Sequence, residues 1–433
     1  MAEPFKIAIA GLGTIGVGTL RLFESQRELL EARCQRPLIV TSVSARDRSI
    51  DRQINLDGYA WFDDAVGLAV ESDADVVVEL IGGSDGIARQ VCEAALDAGK
   101  HVVTANKALI AMAGTELALK AEAANVSLGF EAAVCAGMPI IKMLREGLAA
   151  NSFSRIYGIL NGTCNYILSH MYETGREYKD VLTEAQRLGY AEANPSFDVD
   201  GVDSAHKLAI LTSLAFGSVV NFDDVYVEGI RHISSLDIIY ANELGYRIKL
   251  LGITEFSDNG IFQRVHPTMV PCGSPIAGVE GVMNAVVCEG NFSGTTMMEA
   301  QGAGAGPTAS AVIGDILDFA NGRSARTFGI PANSLSKLPG VPMEENRSSC
   351  YLRLMVVDRP GVFADIAAIM RDQEISMESV LQRVKAEDQT VPVVITTHDT
   401  DEAAIQRALK SIDLLDSVKE RPTMIRIENT SNQ

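Results

Sequence analysis

Basic residues are in short supply: 37 lysines and arginines stand against 56 aspartates and glutamates, for a formal net charge of −19. A chain this acidic has no long-range attraction for nucleic acid or for an anionic membrane surface, and neither is expected as a partner. Cysteine is sparse and unpaired in pattern, with seven residues (34, 92, 135, 164, 272, 288 and 350) and no C-x-x-C. Neither structural zinc nor a disulfide framework is expected, and the chain suits a reducing compartment. No apolar run approaches the ~18 residues that a membrane span needs. "MAEP" runs straight into the strand-like "FKIAIA", which reads as a chain without a signal peptide and points to the cytoplasm. What is there is a globular composition, 47% hydrophobic and 21% charged, in a 433-residue chain long enough for two or three domains.

The first specific signal is "FKIAIAGLGTIGVGTLRLF", a buried-strand pattern, then Gly11-x-Gly13-x-x-Gly16, then helical periodicity. A bare G-x-G-x-x-G is weak, but this one follows a strand and opens a helix, the context in which it binds a dinucleotide. The glycines, with Thr14 and Ile15, let the backbone approach a pyrophosphate that the helix N-terminus favours. Alternating segments follow, "LIVTSVSA", "ADVVVELIGG", "KHVVTANKAL" and "NVSLGFEAAV", with helical stretches between them. This alternation predicts an α/β fold with a Rossmann-type doubly wound parallel sheet over residues 1–140.

At the end of the second strand a carboxylate favours NAD, whereas an arginine accommodates the 2′-phosphate of NADP. "SVSARDRS" puts Arg46 first, then Asp47 and Arg48, so NADP is favoured with NAD tolerated. The other reading is a pair of plain surface arginines. "TANKAL" ends a further strand at the carboxyl edge, where ligands sit in open α/β sheets, and it sets Thr104 and Lys107 toward the nicotinamide side of the crevice.

Beyond "FEAAVCAGMPIIKML" the pattern changes, and residues 141–333 read as an α+β substrate and dimerisation domain over the sheet edge. "ILNGTCNYIL" reads as a polar turn. "EAQGAGAGPTASAVIGDILDFA" reads as a second glycine-rich loop entering a helix that packs back on the first domain. "NPSFDVDGVDSAHKLAIL" crowds Asp198, Asp200 and Asp203 toward Lys207. Asp203 and Lys207 are four apart and share a helix face. An exposed pair of this kind contributes only ~0.3–0.5 kcal/mol, no reason to embed it among further carboxylates. The floor of an active site is the better reading.

The strings "GLGTIG", "TANKAL", "FEAAVCAGMPII", "LNGTCNYIL", "GYAEANPSFDVDGVDSAHKL" and "GAGAGPTASAV" stand in the order found in homoserine dehydrogenases, and about the first 325 residues resemble that family. The resemblance implies NAD(P)-dependent interconversion of L-homoserine and L-aspartate 4-semialdehyde, in threonine, methionine and isoleucine biosynthesis. It implies that Glu192 and Asp203 bind the substrate ammonium with Asp198 as helper. Lys207 would exchange the proton of the substrate oxygen, and Lys107 would be the second active-site lysine. An ordinary lysine has a pKa of ~10.4, so burial or a second cation has to lower it for a base at neutral pH. Gly189, Gly302 and Gly304 match backbone positions near the coenzyme, although Gln301 stands where many members carry arginine. "FEAAVCAGMP" is similar to the family's cation loop. That match implies sodium held by a Glu131 side-chain oxygen and the carbonyls of Val134, Ala136 and Met138, with Cys135 and Ala136 where glycines are common.

"SLSKLPGVPMEENRSS" (334–349) has linker composition. Residues 350–427 then read βαββαβ, a separate ferredoxin-like module. "VVDRPGVFADIAAIM" resembles the start of an ACT domain, with Gly361 where a helix opens. The resemblance implies regulation by threonine and pairing into a homodimer or homotetramer. Two other readings are open: another amino-acid dehydrogenase on the same scaffold, and a catalytically dead nucleotide and amino-acid sensor. A sensor has no use for the set Glu192, Asp203, Lys207 and Lys107. An aspartate-semialdehyde dehydrogenase would need a cysteine nucleophile, and Cys135 and Cys164 are read as lacking the nearby histidine that would activate one.

Overall fold

The computed structural model describes residues 3–383 and 389–428. The chain opens with β1 (Phe5–Ala10), α1 (Thr14–Ser25), α2 (Arg27–Cys34), β2 (Leu38–Ser44), β3 (Ala60–Phe62), α3 (Ala65–Glu71) and β4 (Val76–Glu79). It continues through α4 (Ile87–Asp97), β5 (His101–Thr104), α5 (Lys107–Ala123) and β6 (Leu128–Gly129). These strands form one parallel sheet in the order β3-β2-β1-β4-β5-β6, the doubly wound arrangement that alternation predicts. β3 had no sequence signal, being three residues at the sheet edge. Ala10 pairs with both Ser44 and Glu79, and Glu79 with Thr104. The carboxyl ends of four strands therefore stop level, and their loops share one crevice.

The second region holds α6 (Ile140–Lys142), β7 (Phe153–Ile159), α7 (Gly162–Thr174), α8 (Tyr178–Arg187), α9 (Ser196–Val199) and α10 (Val202–Phe216). Then come β8 (Tyr226–Val227), α11 (Ser235–Glu243), β9 (Tyr246–Ser257), β10 (Gly260–Pro271), β11 (Met283–Gly290), β12 (Gly294–Gln301) and α12 (Ala305–Ala320). "ILNGTCNYIL" is not merely a turn, since Asn161 caps α7 and the helix takes most of the string. α12 returns to the coenzyme sheet, where Val312, Ile313 and Ile316 share a core with Ile7, Ile9 and Leu20.

The C-terminal part follows the βαββαβ order: β13 (Arg347–Val357), α13 (Val362–Asp372), β14 (Met377–Leu381), β15 (Thr390–Thr397), a short β16 (Thr400–Asp401), α14 (Glu402–Asp413) and β17 (Thr423–Ile427). The expectation of a separate module is corrected here. β17 lies parallel to β10, pairing Thr268 with Arg426 and Met269 with Ile427. One sheet runs β12-β11-β7-β9-β10-β17-β13-β15-β14 through both regions. The presumed linker is also pinned, with Ser336 bridged to Ser218 and Gly340 to Ile261. Linker composition does not report tertiary partners, and here the segment finds its hydrogen bonds on Gly217 and Val219 after α10 and on Ile261 of β10. Buried ion pairs stitch the junction. Glu428 accepts from Arg264 at 2.8 Å and Arg155 at 2.5 Å, and Asp237 accepts from Arg353 at 2.7 Å. No helix among the described residues is long and apolar enough to cross a membrane.

Candidate active site

The crevice above the parallel sheet begins at the glycine turn. Gly11 has φ +105°, and a Cβ there would come within 2.5 Å of the Leu80 carbonyl; at Gly16 it would strike the Gly11 carbonyl at 2.0 Å. Gly13 has open space around it, and no side chain caps α1. The first N–H groups of α1, around exposed Thr14 and partly exposed Ile15, thus point to an opening with room for a pyrophosphate. This donor set fits a dinucleotide. Thr104 is spent inside the protein: its hydroxyl donates to Glu79 at 2.6 Å and accepts from the Asn106 N–H at 2.9 Å, which shapes the turn into Lys107. Arg46 is exposed and has no ion pair among the described residues. Its neighbour Arg52, which sequence reasoning passed over, is committed to the loop, donating to the carbonyls of Leu12 (3.1 Å), Ile50 (2.9 Å) and Asp47 (2.7 Å).

Across the crevice, α10 presents Asp203 and Lys207, both buried. Asp203 Oδ2 accepts from Lys207 Nζ at 2.8 Å, and Oδ1 pairs with Lys107 Nζ at 2.9 Å. Lys207 also donates to the Leu160 carbonyl at 2.6 Å. Burial works against ionising Asp203, but the two lysines overcome it and hold its carboxyl well below the usual carboxylate range. Burial likewise works to lower Lys207, yet Asp203 outweighs it and the ammonium sits above its ordinary value. Sequence reasoning required a lowered Lys207; the sign is the reverse, because the second cation is matched by a carboxylate held between the two.

Asn161 is the residue that sequence reasoning missed. Its Oδ1 accepts from the Cys164 N–H at 2.8 Å, while Nδ2 donates to Asp198 and to Asp203, both at 2.8 Å. The available signal was asparagine just before an apolar helical run, a preferred N-cap. Asp198, partly buried and next to Asp203, is raised above the usual carboxylate value by burial and then by that neighbour. Lys107 Nζ lies 5.7 Å from the centroid of Phe197, which packs on His206 at 5.4 Å. Glu192 is exposed, its side chain has no hydrogen bond or ion pair among the described residues, and its carbonyl accepts from Gln186 at 3.0 Å. Gly189 (φ +78°) and Gly304 (φ +116°, at the start of α12) have positive φ, which favours glycine, and a Cβ at Gly302 would overlap Asn284 at 2.3 Å. Cys135 and Cys164 are buried thiols, both pushed up chiefly by burial, which disfavours the thiolate that a nucleophile needs.

Glu131 lies behind the cluster, buried. Its two oxygens accept the N–H groups of Ile141 (2.9 Å) and Lys142 (3.0 Å). Burial and then Asp315 nevertheless push its pKa up to about 7. The Met138 carbonyl accepts from the Ile140 N–H at 2.8 Å, whereas those of Val134 and Ala136 have no hydrogen bond among the described residues. A buried carboxylate with spare lone pairs beside unused carbonyls fits a hard monovalent cation.

A crevice that seats a dinucleotide opposite a protonated lysine is the apparatus of a nicotinamide-dependent oxidoreductase, and that is the class to which fold and site assign the chain. Sequence profiles described as homoserine dehydrogenase, its NAD-binding domain, and the ACT domain match residues 139–317, 11–131 and 351–414. The homoserine dehydrogenase of Neisseria gonorrhoeae is 44% identical over 99% of this chain and 99% of its own. That of Pseudomonas aeruginosa is 42% identical over 98% and 99%. The solved homoserine dehydrogenase of Thiobacillus denitrificans superposes with a TM-score of 0.90 at 42% identity, covering 98% of each chain. A hyperthermophilic archaeal homoserine dehydrogenase in complex with NADPH matches at 0.62 and 27% identity, over 73% of this chain and 97% of that one. The chain belongs to the homoserine dehydrogenase family, NAD(P)-dependent enzymes that interconvert L-homoserine and L-aspartate 4-semialdehyde.

Proposed function

We propose that Lys207 is the group that exchanges a proton with the substrate oxygen, acting as acid in aldehyde reduction. The observation that carries this reading is the buried Lys207–Asp203 pair at 2.8 Å, which keeps the ammonium charged and aimed from a fixed helix face. A bound nicotinamide coenzyme supplies or accepts the hydride. Lys107, on the first turn of α5, reaches from the coenzyme side and neutralises the other Asp203 oxygen. Homoserine brings an ammonium that needs carboxylates. Both oxygens of Asp203 are engaged by lysines, so the ammonium shares it with Asp198 and with Glu192, whose exposed side chain is free to swing in. Arg46, exposed at the end of β2, supports a preference for NADP, with NAD tolerated. Glu131 and the carbonyls of Val134, Ala136 and Met138 support a sodium site.

The C-terminal domain supports feedback regulation by an amino acid. Threonine is the natural candidate, because homoserine is its precursor, and the backbone N–H groups after Gly361 (φ +96°) suit a carboxylate. A homodimer or homotetramer in the cytoplasm completes the reading. The test is a spectrophotometric assay of homoserine oxidation with each coenzyme, with and without sodium and threonine. Absence of turnover with either coenzyme sinks the proposal in favour of a sensor.

A further inference from the structure

The short helix α9 carries Asp198, and a single turn has no stability of its own. Asn161 and the Cys164 thiol hold it at Asp198, at 2.8 and 3.3 Å, and the segment following β8 grips its other side. The Ile230 N–H donates to the Val199 carbonyl at 2.9 Å. Arg231 reaches both flanks, donating to Ser196 Oγ at 2.9 Å and to Asp200 Oδ2 at 3.0 Å. Gly229 is pressed so close that a Cβ there would lie 2.2 Å from the Val199 oxygen. Upstream, the Glu228 N–H is fixed to the Val265 carbonyl of β10 at 2.8 Å. The Glu228 carboxylate accepts from Arg426 Nη1 at 2.8 Å and from the Tyr226 hydroxyl at 3.1 Å. Arg426 belongs to β17 of the C-terminal domain and is 1% exposed. The rest of its guanidinium donates to Glu402 at 2.6 and 2.9 Å.

We propose that residues 228–231 are a positioning strap that holds α9, and Asp198 with it, against the substrate, and that Arg426 sets where the strap lies. Glu228 and Arg231 act through α9 and touch no substrate. If Glu228 shifts away, the buried Nη1 of Arg426 loses its acceptor while Glu402 holds only the other two nitrogens, and an unmet buried donor is costly. The last strand of the regulatory domain is thereby part of the support of the substrate site. The inference rests on the reading of Asp198 as a partner of the homoserine ammonium.

The test uses the full-length enzyme. Arg231 is 46% exposed, so Arg231→Met strands no buried charge and should fold. It should raise the homoserine KM about two- to fivefold, the worth of one exposed ion pair, with kcat and the coenzyme KM unchanged. Arg231→Lys should recover part of the loss. Glu228→Gln, which keeps the shape and removes the charge facing Arg426, should move KM in the same direction. The double variant should fall short of the product of the two, because both act on one strap. Hydrogen exchange gives a readout independent of activity: amides of 199–201 should exchange faster in Arg231→Met. A wild-type homoserine KM in both folded variants, even with a lowered Tm, overturns the proposal, as does an equal rise in the coenzyme KM. If the unaltered enzyme ignores homoserine, the substrate reading has failed instead, and the exchange rates alone decide whether the strap holds α9.

Discussion

Lys107 and Asp203 stand 2.9 Å apart although one heads a helix of the coenzyme domain and the other a helix of the substrate domain. The pair closes the floor of the crevice from both sides, so an error in the relative placement of the two domains is also an error in the electrostatics of Lys207. Asp203 is the hinge of that arrangement, holding one lysine on each oxygen.

Removing the proton relay should leave binding intact. Lys207→Ala is expected to lower kcat by roughly 10²–10⁴, the usual contribution of a positioned acid or base, while coenzyme titration stays near wild type. Asp203→Asn should act differently. It leaves the Lys207 ammonium buried without its counter-charge, a loss of about 3–5 kcal/mol, and it lets burial pull the Lys207 pKa down. Aldehyde reduction falls as pH rises through that pKa, so its alkaline limb should move to lower pH in Asp203→Asn. Unchanged turnover in Lys207→Ala, or an unmoved limb in Asp203→Asn, contradicts the assignment.

Coenzyme choice separates two arginines. Arg46→Ala should weaken NADP by about ten- to a hundredfold and leave NAD alone, since a charge-assisted hydrogen bond is worth ~1.5–3 kcal/mol and only NADP has the phosphate. Arg52→Ala should weaken both coenzymes alike, because its three carbonyl partners include Leu12 in the glycine turn. Affinities for the two coenzymes, measured side by side on both variants, settle it; an equal loss in Arg46→Ala would move the phosphate to Arg48.

Sodium should matter more at high pH. The Glu131 pKa is raised from 4.5 to about 7, so the folded state binds this proton more tightly than the unfolded chain does. The associated stability is present below 4.5 and is lost as pH rises through 7. A cation at the ionised carboxylate restores it. Thermal unfolding in sodium chloride against tetramethylammonium chloride should therefore differ more at pH 8 than at pH 5, by a few degrees at most. Glu131→Gln should erase the difference, and an equal sodium effect at both pH values would remove Glu131 from the site.

Cutting the chain after Pro342 should do more than abolish threonine sensitivity. It would expose the edge of β10 and remove Glu428 from Arg264 and Arg155, and Arg353 from Asp237. Broken buried pairs cost about 3–5 kcal/mol each, so the truncated chain should be poorly soluble and show a lowered Tm. Threonine titration of activity belongs on the full-length enzyme, with calorimetry alongside. A soluble, fully active truncated protein would mean that the junction contributes little.

Residues near in sequence were the legible ones. Gly11, Gly13 and Gly16 sit within one turn, and Asp203 and Lys207 within one helical step, so spacing alone placed them. Asn161 was not legible as a site residue, because its two aspartates come from two other elements, α9 and α10, and an N-cap asparagine looks the same whatever its amide group donates to. The pairing of β10 with β17 was hidden for a related reason: strand patterning states which face is apolar but never which distant edge supplies the neighbour. Arg52 was passed over because its role is to hold carbonyls of its own loop, for which no motif exists.

The return of α12 to the first sheet has a consequence for how the enzyme is made. Leu20 and Phe23 of α1 share a core with Val312 and Ile316, so that core is complete only once a helix nearly three hundred residues downstream has left the ribosome. At 5–20 residues per second that wait is roughly 15–60 s. Throughout it, the nascent chain carries an apolar groove along α1 that no neighbouring segment can fill, and a chaperone has that long to find it.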